Sequence, residues 1–303
     1  MANLYTYQSA NIRRTWVLFV VFFAVVIGIG YVFSQAYGDP SFVVFALIFS
    51  IVYSFISYYS SAAIALRLAR AVPVEKKDSP QLYNIVENLC ITAGLPMPKI
   101  YVTPEMQINA FATGRDPEHA AVAVTQGARE RLDKNELTGV LAHELSHVGN
   151  RDILVSTVAA VLAGIISLIA DIFLRSLFWG GMGMGGGRRS NNSEAGELFF
   201  IFAIVLSILA PIGTMLIQFA ISRRREALAD ASGVLLTRYP EGLISALQKI
   251  AVDETPMRSA KDSTAHMWLD NPFKGSGTSW WHKLFMTHPP IEERIAALKA
   301  LAT

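Results

Sequence analysis

The chain has little charge and almost no cysteine. Only 17% of its 303 residues are charged and 52% are hydrophobic, whereas about 25% of the residues in an average soluble domain are charged. This composition excludes a simple cytosolic protein. Cys90 is the only cysteine, which excludes an intrachain disulfide and suits a domain in a reducing compartment. The formal net charge of +2 is too small to indicate nucleic acid as a partner.

The apolar residues are concentrated in four long runs. These runs are candidates for membrane-spanning helices, because about 20 apolar residues cross a bilayer. They cover residues 15–33, 42–59, 153–179 and 198–221. Gly38-Asp39-Pro40 is a turn signal between the first two runs, so we expect a helical hairpin there. The third and fourth runs could instead pack on a domain outside the bilayer or lie in a cavity.

The basic residues indicate how the runs are oriented. They lie before the first and third runs and after the second and fourth, as Arg13, Arg14, Arg67, Arg70, Lys76, Lys77, Arg151, Arg223, Arg224 and Arg225. By the positive-inside rule, both termini and residues 60–152 and 222–303 are cytoplasmic. Arg188 and Arg189, in a glycine-rich loop, are a mild exception. Small residues at 34–36 resemble a signal-peptide cleavage site, but the length of the first run favours an uncleaved anchor.

Turn and capping residues predict an α+β arrangement outside these runs. Ser79-Pro80 begins a helix that ends near Gly94. Asp133 and Glu136 have the spacing of a capping box, which begins another helix. Short apolar segments predict strands of a small sheet at residues 100–102, 109–112 and 121–124. Further helices are expected at residues 222–236, 241–252 and 290–301.

The helix that begins at Asp133 contains the motif H-E-x-x-H. His143 and His147 are four residues apart, so their imidazoles project from one helix face and can bind one metal ion. Glu144 lies next to the pair, where its carboxylate can reach a water beside the metal without being a ligand. This spacing is typical of zinc metalloproteases. The alternative is two histidines on a polar helix face.

A catalytic zinc site needs a third protein ligand. His119, His266, His282 and His288 lie in no ligand pattern, whereas a carboxylate is a common third ligand. The best candidate is Glu226, which shares a helix face with Asp230. The small residues around Glu226 would let that helix pack close to its neighbour: Ala227, Ala229 and Ala231. The alternative is a surface ion pair between Glu226 and the preceding arginines.

Four segments and the N-terminal hairpin together resemble a known family. The segments are Asn109-Ala110-Phe111-Ala112-Thr113-Gly114, Ala142-His143-Glu144-Leu145-Ser146-His147, Arg225-Glu226-Ala227-Leu228-Ala229-Asp230 and Thr287-His288-Pro289-Pro290. In this order they resemble the HtpX-type membrane zinc metalloproteases, which are related to the CAAX prenyl proteases. The resemblance covers essentially the whole chain.

The resemblance implies a role for each matched residue. It implies one zinc ion per chain, bound by His143, His147 and Glu226, with Asp230 orienting His143. It implies that Asn109, Ala110, Phe111 and Ala112 form a substrate-binding edge strand. It also places His288 near the reaction centre, where it would stabilise the transition state. Alternatively, His288 caps the helix that follows Pro290.

The expected fold is a mainly α membrane protein with four candidate transmembrane helices and a cytoplasmic α+β zincin-type metalloprotease domain. Residues 1–60 would form the N-terminal transmembrane hairpin and residues 153–221 a second hydrophobic hairpin with the glycine-rich loop. Residues 61–152 and 222–303 would form the two parts of the catalytic domain. The chain would be a multi-pass protein of the plasma (inner) membrane.

The expected activity is zinc-dependent peptide-bond hydrolysis with Glu144 as general base. An extended peptide would pair with an exposed edge near residues 109–112, so the partners are polypeptides and the lipid bilayer. The resemblance implies quality control of misfolded or damaged membrane proteins. A processing protease of the prenyl-protease type and an inactive metal-stabilised membrane scaffold are the alternatives. A homo-oligomer is compatible with the sequence.

Overall fold

The structure is a computed structural model that describes residues 4–182, 223–259, 261, 264–274 and 289–302. Helices α1 (Leu4–Tyr37) and α2 (Ser41–Leu68) form the predicted hairpin. Gly38 lies in the turn between them with a φ of 68°, a left-handed conformation that glycine adopts without steric cost.

Three stretches of the described chain are long and apolar enough to cross a membrane: Ser9–Gln35, Ser41–Leu68 and Asp152–Ile169. The third belongs to α6 (Asp152–Met182) and differs from the other two. Of its most apolar part, 67% is buried within the protein, against 33% and 17% for the others. It packs against α1 and α2 through a cluster that includes Leu18, Phe22, Leu154, Val158 and Leu162. The predicted fourth run, residues 198–221, and residues 183–187 of the predicted glycine-rich loop (180–187) lie outside the described residues, whereas residues 180–182 belong to α6.

A four-stranded sheet forms one layer of the domain outside the hairpin. Its strands are β1 (Val72–Pro73), β2 (Lys99–Thr103), β3 (Ala110–Thr113) and β4 (Ala121–Thr125), in the order β1-β2-β4-β3. β2 and β4 are parallel, and the other two pairs are antiparallel. The sequence predicted β2, β3 and β4 but not β1, which has only two residues, one of them proline.

Six helices accompany the sheet among the described residues: α3 (Pro80–Ala93), α4 (Gln126–Arg131), α5 (Lys134–Gly149), α7 (Arg223–Thr237), α8 (Pro240–Ala251) and α9 (Ile291–Ala302). The predicted fold class is therefore confirmed, as a mostly helical protein with an α+β domain. The capping box that begins α5 is present: Asp133 accepts from the backbone N–H of Glu136 at 2.9 Å, and Glu136 accepts from that of Asp133 at 2.8 Å. Lys249 also contacts Glu136, at 2.6 Å.

Helices α5 and α7 approach each other closely at Gly233. A Cβ atom added there would lie 3.1 Å from the backbone nitrogen of His143. This contact brings α7 against the motif helix. The prediction that three alanines permit this packing was partly wrong: Ala229 is buried, but Ala227 is exposed, and the closest approach is at Gly233.

Candidate metal centre

Helix α5 brings both motif histidines to one buried point. The Nε2 atoms of His143 and His147 are 3.2 Å apart, and their rings are perpendicular. Glu226, on α7, approaches both: its carboxylate oxygens lie 3.7 Å from His143 Nε2 and 3.6 Å from His147 Nε2. These three residues form a cluster whose ligand atoms all lie within 4.8 Å of one another.

The cluster fits a zinc ion by two criteria. Ligands about 2.0–2.1 Å from a tetrahedral zinc ion lie roughly 3.3 Å from one another, close to the three separations observed. The donor set of two imidazoles and one carboxylate is that of many catalytic zinc sites. In addition, both histidines use their Nδ1 atoms for other contacts, which leaves the two Nε2 atoms directed at the common point.

His143 is held by a buried ion pair. Its Nδ1 atom lies 2.8 Å from Asp230, on α7. Arg294, on α9, donates two hydrogen bonds to the same carboxylate, at 2.7 and 2.9 Å. Burial alone would raise the pKa of Asp230, but the charge of Arg294 and the hydrogen bond with His143 outweigh burial and lower the pKa to about 2. Asp230 is therefore a carboxylate that faces the Nδ1 atom of His143.

His147 is held from the opposite side. Its Nδ1 atom lies 3.0 Å from Asp152, the first residue of α6. Burial lowers the pKa of His147, but the negative charge of Glu226 and the hydrogen bond with Asp152 outweigh burial and raise it to about 9. Asp152 in turn contacts Asn11 of α1 at 2.7 Å. The centre is therefore connected directly to the membrane hairpin.

Glu144 faces a small cavity beside the cluster. The cavity volume is about 30 Å³, and Glu144 itself is buried. Since a cavity of roughly 10–15 Å³ holds one water molecule, this cavity has room for water beside Glu144. Its walls come from β3, α5, α6, α7 and the segment that follows residue 264: Ala112, His143, Glu144, His147, Asp152, Ile153, Ser156, Arg225, Glu226, His266, Met267, Trp268 and Leu269.

Residues 264–271 partly cover the edge strand that was predicted to be exposed. The backbone N–H of Leu269 donates to the carbonyl of Ala110 at 2.9 Å. The side chain of Asn109 donates to the carbonyl of Asp270 and accepts from its N–H, at 2.9 and 3.2 Å. Trp268 packs on Phe111 with a centroid distance of 4.7 Å. The expectation of an open edge at Asn109 and Ala110 was therefore wrong, because this segment takes up their outward-facing hydrogen bonds.

The remaining predicted site residues lie in different places in the structure. Ala112 lines the cavity, next to Glu144. His119, an alternative ligand, instead pairs with Asp116 at 2.6 Å, on an exposed surface. His266 lines the cavity, with its Nε2 atom 3.0 Å from the carbonyl of Ser156. His288, predicted near the reaction centre, and His282 lie outside the described residues.

Three residues at the centre have no role in the sequence predictions. Arg294 and Asp152 hold the carboxylate and the imidazole described above, and Asn11 contacts Asp152. Asp152 had a local signal, since it is an acidic residue five positions after His147 and at the start of an apolar run. Arg294 and Asn11 had no local signal, because their partners are distant in the sequence.

Comparison with known proteins identifies relatives over the whole chain. The sequence model described as Peptidase family M48 matches residues 76–302. A "Protease HtpX homolog" of Caldanaerobacter subterraneus subsp. tengcongensis is 46% identical over 301 residues, which cover 99% of this chain and 98% of the relative. A "Protease HtpX homolog" of Lactobacillus acidophilus is 46% identical over 305 residues, or 98% of this chain and 99% of the relative.

A solved structure, that of S. mikatae Ste24p, is similar over 96% of this chain and 66% of that chain. Its sequence identity is 17% and the TM-score is 0.48.

Proposed function

The chain belongs to peptidase family M48, and we propose that it cleaves misfolded or damaged membrane proteins at the cytoplasmic face of the membrane. It is a membrane-bound zinc metalloendopeptidase, as the family and the HtpX relatives show, so its substrates are polypeptides. The resemblance inferred from the sequence motifs is thereby confirmed. The observation that carries the proposal is the buried cluster of His143, His147 and Glu226 beside Glu144, directly before an apolar helix.

We assign the metal to His143, His147 and Glu226, whose ligand atoms have suitable separations. When bound by these residues, zinc would supply a Lewis acid for the peptide carbonyl and would lower the pKa of a water molecule to about 7. Glu144 accepts the proton of the attacking water on a carboxylate oxygen and passes it to the leaving amine. Asp230 and Asp152 hold the two imidazoles so that each Nε2 atom faces the ion.

The substrate is expected to pair with the backbone of β3 at Ala112. Asn109 directs its carbonyl toward β4 and Ala110 directs its carbonyl away, to Leu269. Since backbone groups alternate along a strand, the N–H and C=O of Ala112 also point away from β4. Pairing through these groups would position an extended peptide beside Glu144 with little side-chain selection, which suits unfolded segments.

The membrane location of the proposed substrates follows from the position of the centre. Asp152 both contacts His147 and begins a candidate membrane span, so the reaction takes place at the membrane surface. The placement of lysine and arginine supports a cytoplasmic surface and cytoplasmic termini. We also propose that residues 61–152 and 222–303 form one catalytic domain, which the packing of α7 on α5 supports.

A Glu144→Gln variant tests the proposal. The purified wild type with zinc should cleave casein and an unfolded membrane protein, whereas Glu144→Gln should retain one zinc ion and cleave neither. Glu130→Gln, a change at an exposed glutamate on α4, is the matched control and should cleave as the wild type does. If Glu144→Gln keeps the wild-type cleavage rate, the assignment of the base is wrong. A wild type that binds zinc and cleaves nothing would support the scaffold alternative instead.

A further inference from the structure

Asn11 is a buried polar residue in the first membrane helix. Only 2% of its surface is exposed, and it lies within the candidate span Ser9–Gln35. Burying an amide is costly unless its hydrogen bonds are made, and polar residues within membrane helices usually have a specific partner. The partners of Asn11 lie far away in the sequence, at the junction of α5 and α6. Its Nδ2 atom donates to Asp152 at 2.7 Å and to the carbonyl of Asn150 at 3.2 Å.

Asp152 connects this amide to a proposed metal ligand. One carboxylate oxygen accepts from Asn11, and the other lies 3.0 Å from His147 Nδ1. Metal-bound histidines commonly donate their second ring nitrogen to a carboxylate that fixes the ring, and that carboxylate is in turn held by hydrogen bonds. Asn11 therefore donates a hydrogen bond to Asp152, and Asp152 in turn positions the ring of His147.

The amide of Asn11 also contacts the opposite side of the centre. Its oxygen accepts from Arg225 at 3.3 Å, and Arg225 lies 3.7 Å from Asp152. Arg225 directly precedes the third proposed ligand, Glu226, on α7. The side chain of Asn11 thus lies between the element that orients His147 and the element that carries Glu226.

We propose that Asn11 is a positioning residue of the metal centre, through which the first membrane helix holds Asp152 and thereby His147 in ligand geometry. This inference depends on the proposed zinc site. It gives the hairpin a role in metal binding in addition to anchoring. A hairpin that only anchors the domain would tolerate the loss of this amide with no change in zinc affinity.

The test measures zinc affinity in the full-length protein, purified in detergent, by competition with a chelator. Asn11→Leu retains the branched shape of the side chain and removes all three hydrogen bonds. Its zinc dissociation constant should rise on the order of tenfold, the lower end of the effect seen for outer partners of metal ligands. Thr15→Val is the control: it removes a buried hydroxyl one turn further along α1, whose bond goes only to the Asn11 backbone. Its zinc affinity should remain within about twofold of the wild type.

A double-mutant cycle tests the route through Asp152. In an Asp152→Asn background, Asn11→Leu should weaken zinc binding much less than in the wild type, because coupled residues are non-additive. Equal zinc affinity for Asn11→Leu and wild type would overturn the inference, and so would an effect of full size in the Asp152→Asn background. If Asn11→Leu does not fold, as judged by thermal unfolding of the zinc-free protein, Asn11→Ala replaces it in the same cycle.

The zinc measurements also distinguish an error in the proposed metal site from an error in the role of Asn11. If the wild type itself binds no zinc, the metal site is wrong. If the wild type binds one zinc ion and the Asn11 variants bind it equally well, only the role of Asn11 is wrong.

Discussion

The two histidines of the proposed metal centre are held in different ways. His143 contacts Asp230, which forms a bidentate ion pair with Arg294, and all three lie on helices of the catalytic domain. His147 contacts Asp152, which begins α6 and accepts a hydrogen bond from Asn11 of α1. The first histidine is therefore supported by the catalytic domain alone, and the second depends on membrane helices.

The two sets of contacts have different main effects. Those of His143 mainly stabilise the fold of the domain, whereas those of His147 mainly complete the metal site. Arg294 and Asp230 are a buried pair of opposite charges, so removal of one partner leaves an uncompensated charge in the interior. On the other side, loss of the Asn11 amide removes a neutral hydrogen-bond donor from Asp152 but leaves its ion pair with Arg225, so this loss is less costly. We therefore expect changes on the His143 side to affect stability most, and changes on the His147 side to affect zinc affinity most.

Arg294→Met should have the largest effect on stability. It leaves the buried carboxylate of Asp230 without its ion pair, which costs about 3–5 kcal/mol in the free energy of unfolding. Lys76→Met is the control, because Lys76 pairs with Glu87 and the two side chains are 57% and 47% exposed. The control should lose about 1 kcal/mol or less. Chemical denaturation of the zinc-free proteins measures both, and equal losses would contradict the asymmetry.

Asp152→Asn should have the largest effect on zinc binding among changes outside the three proposed ligands. The loss of the carboxylate that accepts from His147 should weaken zinc binding about 10–100-fold. Asp116→Asn, at a carboxylate that contacts the partly exposed His119, is the control and should bind zinc as the wild type does. Unaltered zinc affinity in Asp152→Asn would show that His147 does not depend on α6.

Gly233→Ala should have a smaller effect on stability. This effect should involve the surroundings of both His143 and His147. The added Cβ would press on the backbone of Ala142 and His143 at 3.1 to 3.3 Å, so α7 must shift away from α5. The strain should exceed the gain from replacing glycine in a helix and leave a net loss of about 1 kcal/mol. Gly149→Ala is the control, since its nearest neighbours lie at an ordinary 3.7 Å. A Gly233→Ala variant as stable as Gly149→Ala would show that the helices separate without cost.

Local features of the fold were predictable from sequence. The capping box of Asp133 and Glu136 and the left-handed Gly94 that ends α3 are encoded within a few residues. His143, Glu144 and His147 share one helical turn, so their relative geometry follows from helix spacing. β1 was not predictable, because two residues carry no periodic pattern. The segment that covers Ala110 was not predictable either, because its pairing with β3 joins residues far apart in the sequence.

The long-range part of the site depended on family resemblance or was missed. Glu226 was only one candidate on residue chemistry, since a glutamate beside arginines is usually a surface ion pair. Its burial against α5 depends on Gly233, whose role sequence reasoning did not identify. Arg294 and Asn11 reach the centre from opposite ends of the chain, and only the folded structure brings them together.

A crystal structure of the zinc-loaded protein, with anomalous data at the zinc absorption edge, would test whether His143, His147 and Glu226 bind the metal. We expect one anomalous peak about 2.0–2.1 Å from the Nε2 atoms of His143 and His147, with Glu226 as the third protein ligand. A peak at any other set of residues, or no peak at this cluster in a protein that cleaves peptides, would contradict this expectation.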